Sequence, residues 1–168
     1  MKVLLPIVAA VFSLAGCAGY QLGDVKPSRL KEIHSIAVLT FTNKTFQPRV
    51  GPLVTNTVIK QFQQDGTFQI TNPAQADAVL EGEVSAISRG PARFVRGNVL
   101  ATAEFNLSLT VTYTLKKKDG TVVAGPGQIS GSTSFFVGSD VNSEERQALP
   151  LATEDLAVRM VSQLTEGW

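Results

Sequence analysis

The chain has 168 residues, enough for one domain of ordinary size, and is 43% hydrophobic, 7% aromatic and 17% charged. Fifteen Lys and Arg against fourteen Asp and Glu leave a formal charge of +1, so no general field attracts nucleic acid. One cysteine, Cys17, and one histidine, His34, exclude an intrachain disulfide framework and a Cys/His zinc site.

Lys2 opens the chain with a positive charge, and Val3 to Leu14 is apolar apart from Pro6 and Ser13. A run of about 12 residues is too short to cross a ~30 Å hydrocarbon core as a helix. It fits the apolar centre of a secretory signal. The run ends in Leu14-Ala15-Gly16-Cys17, which resembles the bacterial lipobox, where a peptidase cuts before the cysteine and the thiol is diacylated. The expected segments are a signal over residues 1–16, a lipidated N-terminus and tether over 17–34, and one folded domain over 35–168. Two or three acyl chains on Cys17, at about 0.8 kcal/mol per buried CH₂, make a lasting membrane anchor where one chain does not. Ala18 follows the cysteine. By resemblance to bacterial lipoproteins, the lack of Asp there implies the outer membrane rather than inner-membrane retention. Cleavage removes Lys2 and leaves 14 positive and 14 negative charges.

In the tether, Gly19, Gly23, Asp24 and Pro27 interrupt any period. Ser35 to Thr42 reads as a strand rich in Ile, Val, Leu and Phe. A helix is predicted from about Val50 to Gln64. Pro52 sits in its first turn, Val50, Val54, Val58 and Phe62 mark its apolar stripe, and Gly66 stops it. Phe68 to Thr71 reads as a short strand. Ala76 to Ser88 reads as a longer one, with Ala78, Leu80, Gly82 and Val84 on one face and Val79, Glu81, Glu83 and Ser85 on the other.

The strongest pattern runs from Ala103 to Leu115, where all seven odd positions are apolar or aromatic and none of the six even positions is. That alternation predicts a strand with one buried and one wet face. Asp119-Gly120 predicts a type I′ hairpin turn. The return strand is interrupted at Gly125-Pro126-Gly127 and then carries Ile129, Gly131, Thr133, Phe135 and Val137 on one face. A final helix, capped by Asn142 or Ser143, has Leu149, Ala152, Leu156, Met160 and Leu164 on one stripe. Pro150 lies inside it and either kinks it or splits off a first turn. The expected fold is α+β: a two-layer sandwich with a mixed four- to five-stranded sheet and two helices on one face.

No nucleophile elbow, Walker loop or dinucleotide fingerprint is present, so neither a cofactor nor an enzymatic activity is expected. Glu81 and Glu83 share a strand face, and paired carboxylates can cleave glycosides. Two exposed strand glutamates are more simply read as solvated. Residues 89–118 concentrate Arg89, Arg93, Arg96, Lys116, Lys117 and Lys118 against Glu104 alone, whereas residues 140–168 hold six acids and two arginines. A loop at 89–96 and a turn at 116–118 would sit near opposite ends of the long strand. Arg93-Phe94-Val95-Arg96 mixes cations with an apolar pair, which suits an anionic amphiphile. Read plainly, the same residues are a solvated loop and a hairpin tip that discourages edge pairing.

Several short matches run along the mature chain in order. They are Cys17 with Gly19-Tyr20-x-Leu22, then Ile36-Ala37-Val38-x-x-Phe41-x-Asn43-x-Thr45, Asp65-Gly66, Ala76-Asp77-Ala78-x-Leu80-x-Gly82, the alternating strand, Leu156-Ala157 and Trp168. With that order and spacing the chain resembles the short form of the lipopolysaccharide-assembly lipoprotein family, LptE. The resemblance implies a two-layer α/β domain, lipid-anchored by palmitate-type acyl chains on the periplasmic side of the outer membrane. It also implies that the domain plugs an outer-membrane β-barrel translocon (LptD-like) and contacts lipopolysaccharide. Arg89, Arg93, Arg96, Lys116, Lys117 and Lys118 are the cations expected to face lipid A phosphates, on charge and not on a matching motif. Ile36 to Asn43 is also similar to the first strand of lipoproteins that regulate cell-wall synthases or secretion pores. Those need a long tether, whereas about 17 extended residues reach only ~60 Å.

The intact mass of the mature protein should begin at Cys17 and carry acyl chains, and Cys17→Ser should leave the membrane fraction unless a barrel retains it. A free thiol on the mature chain would contradict the anchor.

Overall fold

The structure is a computed structural model and describes residues 26–166. The expected signal, Cys17, most of the tether and Trp168 lie outside the described residues. A short 3₁₀ turn at Ser28–Leu30 comes first. Six strands follow: β1 Ser35–Val38, β2 Thr42–Asn43, β3 Gln69–Ile70, β4 Ala78–Val95, β5 Asn98–Lys117 and β6 Val122–Phe136. Helix α1, Val50–Asp65, lies between β2 and β3, and helix α2, Val141–Thr165, closes the fold. The sheet order is β3-β1-β4-β5-β6, with β2 also pairing with β4. β1 runs parallel to β3 and β4, and β4-β5-β6 is an antiparallel meander. This is the expected mixed α+β sandwich, with the 35–42 segment split into two strands.

The split has a local cause. Between β1 and β2 the Phe41 amide leaves the ladder and donates to Thr55 Oγ1 of α1 at 2.9 Å, and that buried hydroxyl donates to the Gly51 carbonyl at 2.8 Å. Phe41 itself is buried against the helix layer. Polar satisfaction of a buried amide thus docks the start of α1 onto the strand break. Gly66 takes the left-handed conformation (φ 77°) and donates its amide to the Phe62 carbonyl, ending α1 as expected.

Both helices cover one sheet face. The core joins Leu80, Val84, Leu107, Leu109, Val111 and Leu115 of the sheet to Val54, Val58 and Phe62 of α1 and Leu156, Met160 and Leu164 of α2. These β5 residues are the odd positions of the alternating run. Leu30 and Ile33 are also buried here, so the core takes in residues that the sequence reading places in the tether. Asp77 ties that N-terminal approach to the sheet. Its carboxylate accepts from the amides of His34 and Ser35 and from the Ser35 hydroxyl, at 2.9–3.0 Å. The His34 amide, then the Ser35 hydroxyl and amide, hold this carboxyl below the ordinary aspartate range.

Three expectations need correction. Residues 89–95 are strand, not loop, because β4 continues beside β5 to the pair Val95↔Asn98. A bulge at Ser85, between the pairs Val84↔Val111 and Ala86↔Thr110, shifts the phase and lets Ile87, Arg89 and Pro91 follow the apolar face. At Lys118-Asp119-Gly120 only Gly120 has positive φ (86°), and the Lys117 carbonyl accepts from the Gly120 amide while the Lys117 amide donates to the Thr121 carbonyl. That is a three-residue loop with a left-handed third residue, not a type I′ turn. The cap of α2 is Asp140, whose side chain accepts from the Asn142 amide at 3.0 Å. Pro150 lies within a single helix.

α2 approaches β6 most closely at Gly131, where a Cβ would collide with the Ala152 carbonyl and the Leu156 amide of the helix backbone. Gly131→Ala should therefore cost about 1–3 kcal/mol of unfolding free energy, read as a lower midpoint in chemical denaturation. An unchanged midpoint would mean that α2 can slide freely on the sheet.

Candidate functional site

With both helices on one side, the opposite face of β4-β5-β6 is bare among the described residues. Its cross-strand rows are Glu83-Thr112-Gln128, Ala86-Thr110-Ser130, Ser88-Ser108-Ser132, Gly90-Asn106-Ser134 and Arg93-Glu104-Phe136. Small hydroxyl and amide side chains dominate, and Thr110 Oγ1 bonds Ser130 Oγ at 2.9 Å. Such a surface offers many donors and acceptors and little apolar area. It can lie against another polar wall where direct hydrogen bonds or bridging waters replace those lost to solvent.

The six cations singled out from the sequence fall into two groups at opposite ends of the meander, with Arg89 on its helix-covered side. Arg89, Arg93 and Arg96 belong to the β4–β5 tip. Lys116, Lys117 and Lys118 belong to the β5–β6 turn. Twelve residues of β5 separate Glu104 from Lys116, a run of ~40 Å at ~3.3 Å per residue.

At the tip, Arg89 is tied down. It pairs with Glu145 of α2 at 2.5 Å and lies 5.0 Å above the Phe105 ring, which in turn packs on Phe135 with centroids 5.9 Å apart. It braces the helix start against the sheet. Arg93 pairs with Glu104 at 3.4 Å, a mostly buried carboxylate beside a largely exposed guanidinium. Among the described residues Arg96 has no acidic partner. Phe94, Phe136 and Val137 are exposed at this end, Phe136 in the same cross-strand row as Arg93 and Glu104. Phe136 escapes the sequence reading. Its parity is the available signal, since it falls on the wet face of β6 where Gln128, Ser130, Ser132 and Ser134 precede it.

At the other end, Lys116 pairs with Glu81 at 2.5 Å and Lys117 with Glu32 at 3.1 Å, while Lys118 has no acidic partner among the described residues. Glu83 lies 3.7 Å from Lys44. Glu81 and Glu83 thus each face a different lysine and do not form a shared carboxylate site. Among the described residues no group of three or more His, Cys, Asp or Glu could hold a metal ion, and no helix is long and apolar enough to cross a membrane.

The Lys116–118 end is also where the chain enters the fold. Glu32 reaches Lys117, and Lys26 donates to the Ile33 carbonyl at 3.4 Å and lies 4.9 Å above the Phe68 ring. The molecule is therefore polar along its length: N-terminal entry and lysines at one end, arginines and exposed aromatics at the other.

The fold matches several solved structures. A minor lipoprotein from Acinetobacter baumannii aligns with TM-score 0.55 at 16% identity, covering 80% of this chain and 94% of that one. A protein from Xanthomonas campestris aligns with TM-score 0.57 at 11% identity, covering 80% and 85%. Lipoprotein B from Nitrosomonas europaea aligns with TM-score 0.50 at 10% identity, covering 79% and 80%. At these identities the likeness is one of fold. No curated protein sequence matches the chain. The profile of the lipopolysaccharide-assembly family LptE matches residues 33–164, from the last buried residue before β1 to the last turns of α2. The chain belongs to the LptE family of lipopolysaccharide-assembly lipoproteins.

Proposed function

We propose that this lipoprotein sits inside an outer-membrane β-barrel translocon, anchored by acylated Cys17 in the periplasmic leaflet, and helps assemble lipopolysaccharide there. The observation that carries this reading is the bare polar face of β4-β5-β6, about 40 Å long by strand geometry. A barrel lumen is polar, and a hydroxyl-rich sheet face fits such a wall. Its length exceeds the ~30 Å hydrocarbon core, so a domain standing upright in a lumen would reach from one leaflet to the other.

The polarity of the molecule supports the same orientation. Nine residues from Cys17 to Lys26 reach at most ~30 Å. They hold the lysine end near the membrane surface that carries the anchor. The arginine end then points away, towards the outer leaflet. There Arg93 and Arg96 would meet lipid A phosphates and Phe94 and Phe136 its acyl chains. Arg89 serves this surface by fixing it to α2. Lys116, Lys117 and Lys118 would face phosphate-bearing headgroups at the anchored end. The short reach speaks against regulation of a cell-wall synthase across the periplasm. The separately paired Glu81 and Glu83 favour a binding role over hydrolysis.

Affinity purification of the acylated protein from native membranes should recover a β-barrel protein; recovery of none at normal expression would contradict the translocon reading. With purified lipopolysaccharide at low salt, Arg93→Ala with Arg96→Ala should weaken binding about tenfold. Unchanged affinity would return the tip to an ordinary solvated hairpin. Loss only on Lys117→Ala with Lys118→Ala would move the contact to the anchored end.

A further inference from the structure

We propose that the upper edge of β4, around Ile87 and Arg89, receives an extended segment of the barrel partner as an added strand. The inference rests on the translocon reading above.

β4 is paired along its whole length with β5, but on its other side only as far as Val84. There β1 and β2 accompany it, and the Lys44 amide donates to the Val84 carbonyl at 3.0 Å. Strand parity says which groups lie bare beyond that point. The carbonyls of Leu80 and Val84 both accept from the β1–β2 side, at 2.9 and 3.0 Å. Leu80 and Val84 therefore face away from β5, and the bulge at Ser85 uses up one residue. Ile87, Arg89 and Pro91 then turn their backbone away from β5. Pro91 fits this parity, since a proline is tolerated where no ladder N–H is required. Among the described residues the N–H and C=O of Ile87 and Arg89 have no backbone partner on that side.

The opposite edge of the sheet is treated differently. On β6 the outward Ser132 amide is taken by Asp155 of α2 at 2.9 Å. Among the described residues β4 beyond Val84 has no such cover. Beside it lies an open groove of about 350 Å³, lined by Lys44–Gln47 and by Ser85, Ala86, Ile87 and Glu145.

One wall of the groove is a fixed loop. Asn43 Oδ1 accepts from the Thr45 amide and hydroxyl, Asn43 Nδ2 donates to the Gln47 carbonyl, and the Gln47 amide donates to Thr45 Oγ1. This network holds Phe46 fully in solvent. A loop ordered before binding presents an aromatic anchor at low entropic cost.

Only another extended backbone matches a row of outward N–H and C=O groups, so the occupant is polypeptide. The chain's own segment after Cys17 would be used up in reaching this edge, with no residues left to pair along it. From Lys26 it must pass from the level of Ala78 to that of Ile87, about 30 Å, which its nine residues only just span. A second copy pairing edge to edge would bring Arg89 and Arg93 of two chains together, each already engaged with Glu145 or Glu104 of its own chain, and residues 86–96 offer no further acid. The fitting strand is neutral or acidic and comes from the partner.

Residue-resolved amide hydrogen exchange tests this on the full acylated protein, alone in detergent and in the complex purified from native membranes. The Ile87 and Arg89 amides should exchange freely in the isolated protein and slow at least a hundredfold in the complex. Phe46→Ala should reduce that protection while the isolated variant keeps the parent's exchange pattern elsewhere. A barrel that co-purifies while both amides stay unprotected overturns the added strand and leaves the translocon reading standing. Purification with no barrel overturns both. Protection that appears in the isolated protein with rising concentration assigns the edge to a second copy and overturns the proposal.

Discussion

The structure depends on one packing constraint: two helices are laid on the same face of a long antiparallel meander. The alternation in β5 dictates it. Leu107, Leu109, Val111 and Leu115 point one way and are buried, while Ser108, Thr110, Thr112 and Thr114 point the other way. α2 seats on β6 through Gly131, where backbone meets backbone, and α1 seats on the β1–β2 break through Thr55. Once both are in place, the second face has no layer of its own. Among the described residues nothing is left to cover it, and the composition of that face shows no need of an apolar cover.

The same constraint organises the charges. A near-zero net charge conceals a molecule with distinct ends, because the meander carries its two turns to opposite extremes. At the tip, Arg89 is consumed in holding α2 through Glu145 and Phe105, and Arg93 leans on Glu104. The aromatic residues left in solvent, Phe94 and Phe136, stand beside these cations. At the entry end, lysines pair with Glu81 and Glu32. Exposed ion pairs of this kind contribute little to stability, on the order of 0–1 kcal/mol each. Their value lies in fixing which cations remain available.

Most of the layer architecture was legible in the sequence, because periodicity reports burial directly. The β5 alternation, the α1 stripe and its stop at Gly66, and the interruption at Gly125-Pro126 all correspond to observed features. Phase errors arose where a single residue breaks a period. The bulge at Ser85 flips the face of everything after it, and this made residues 89–95 look like an irregular basic loop. Asp119-Gly120 marks the place of the turn but not its type, since one left-handed glycine serves two different loops. Leu30 and Ile33 were assigned to a tether because two apolar residues among glycines, prolines and charges form no period. The functional surface was harder to read. Which cations are spent on internal partners depends on contacts between residues as distant as Arg89 and Glu145, and no local pattern carries that information.

In the proposed complex the bare face of β4-β5-β6 lies against a barrel wall. Thr112→Cys and Ser130→Cys place single reactive thiols at exposed positions on that face, the second at the cost of the Ser130–Thr110 hydroxyl bond. A membrane-impermeant, hydrophilic maleimide should label both rapidly in the isolated protein and at least tenfold more slowly in native outer-membrane fragments open on both sides. Equally fast labelling in the two settings would contradict the account.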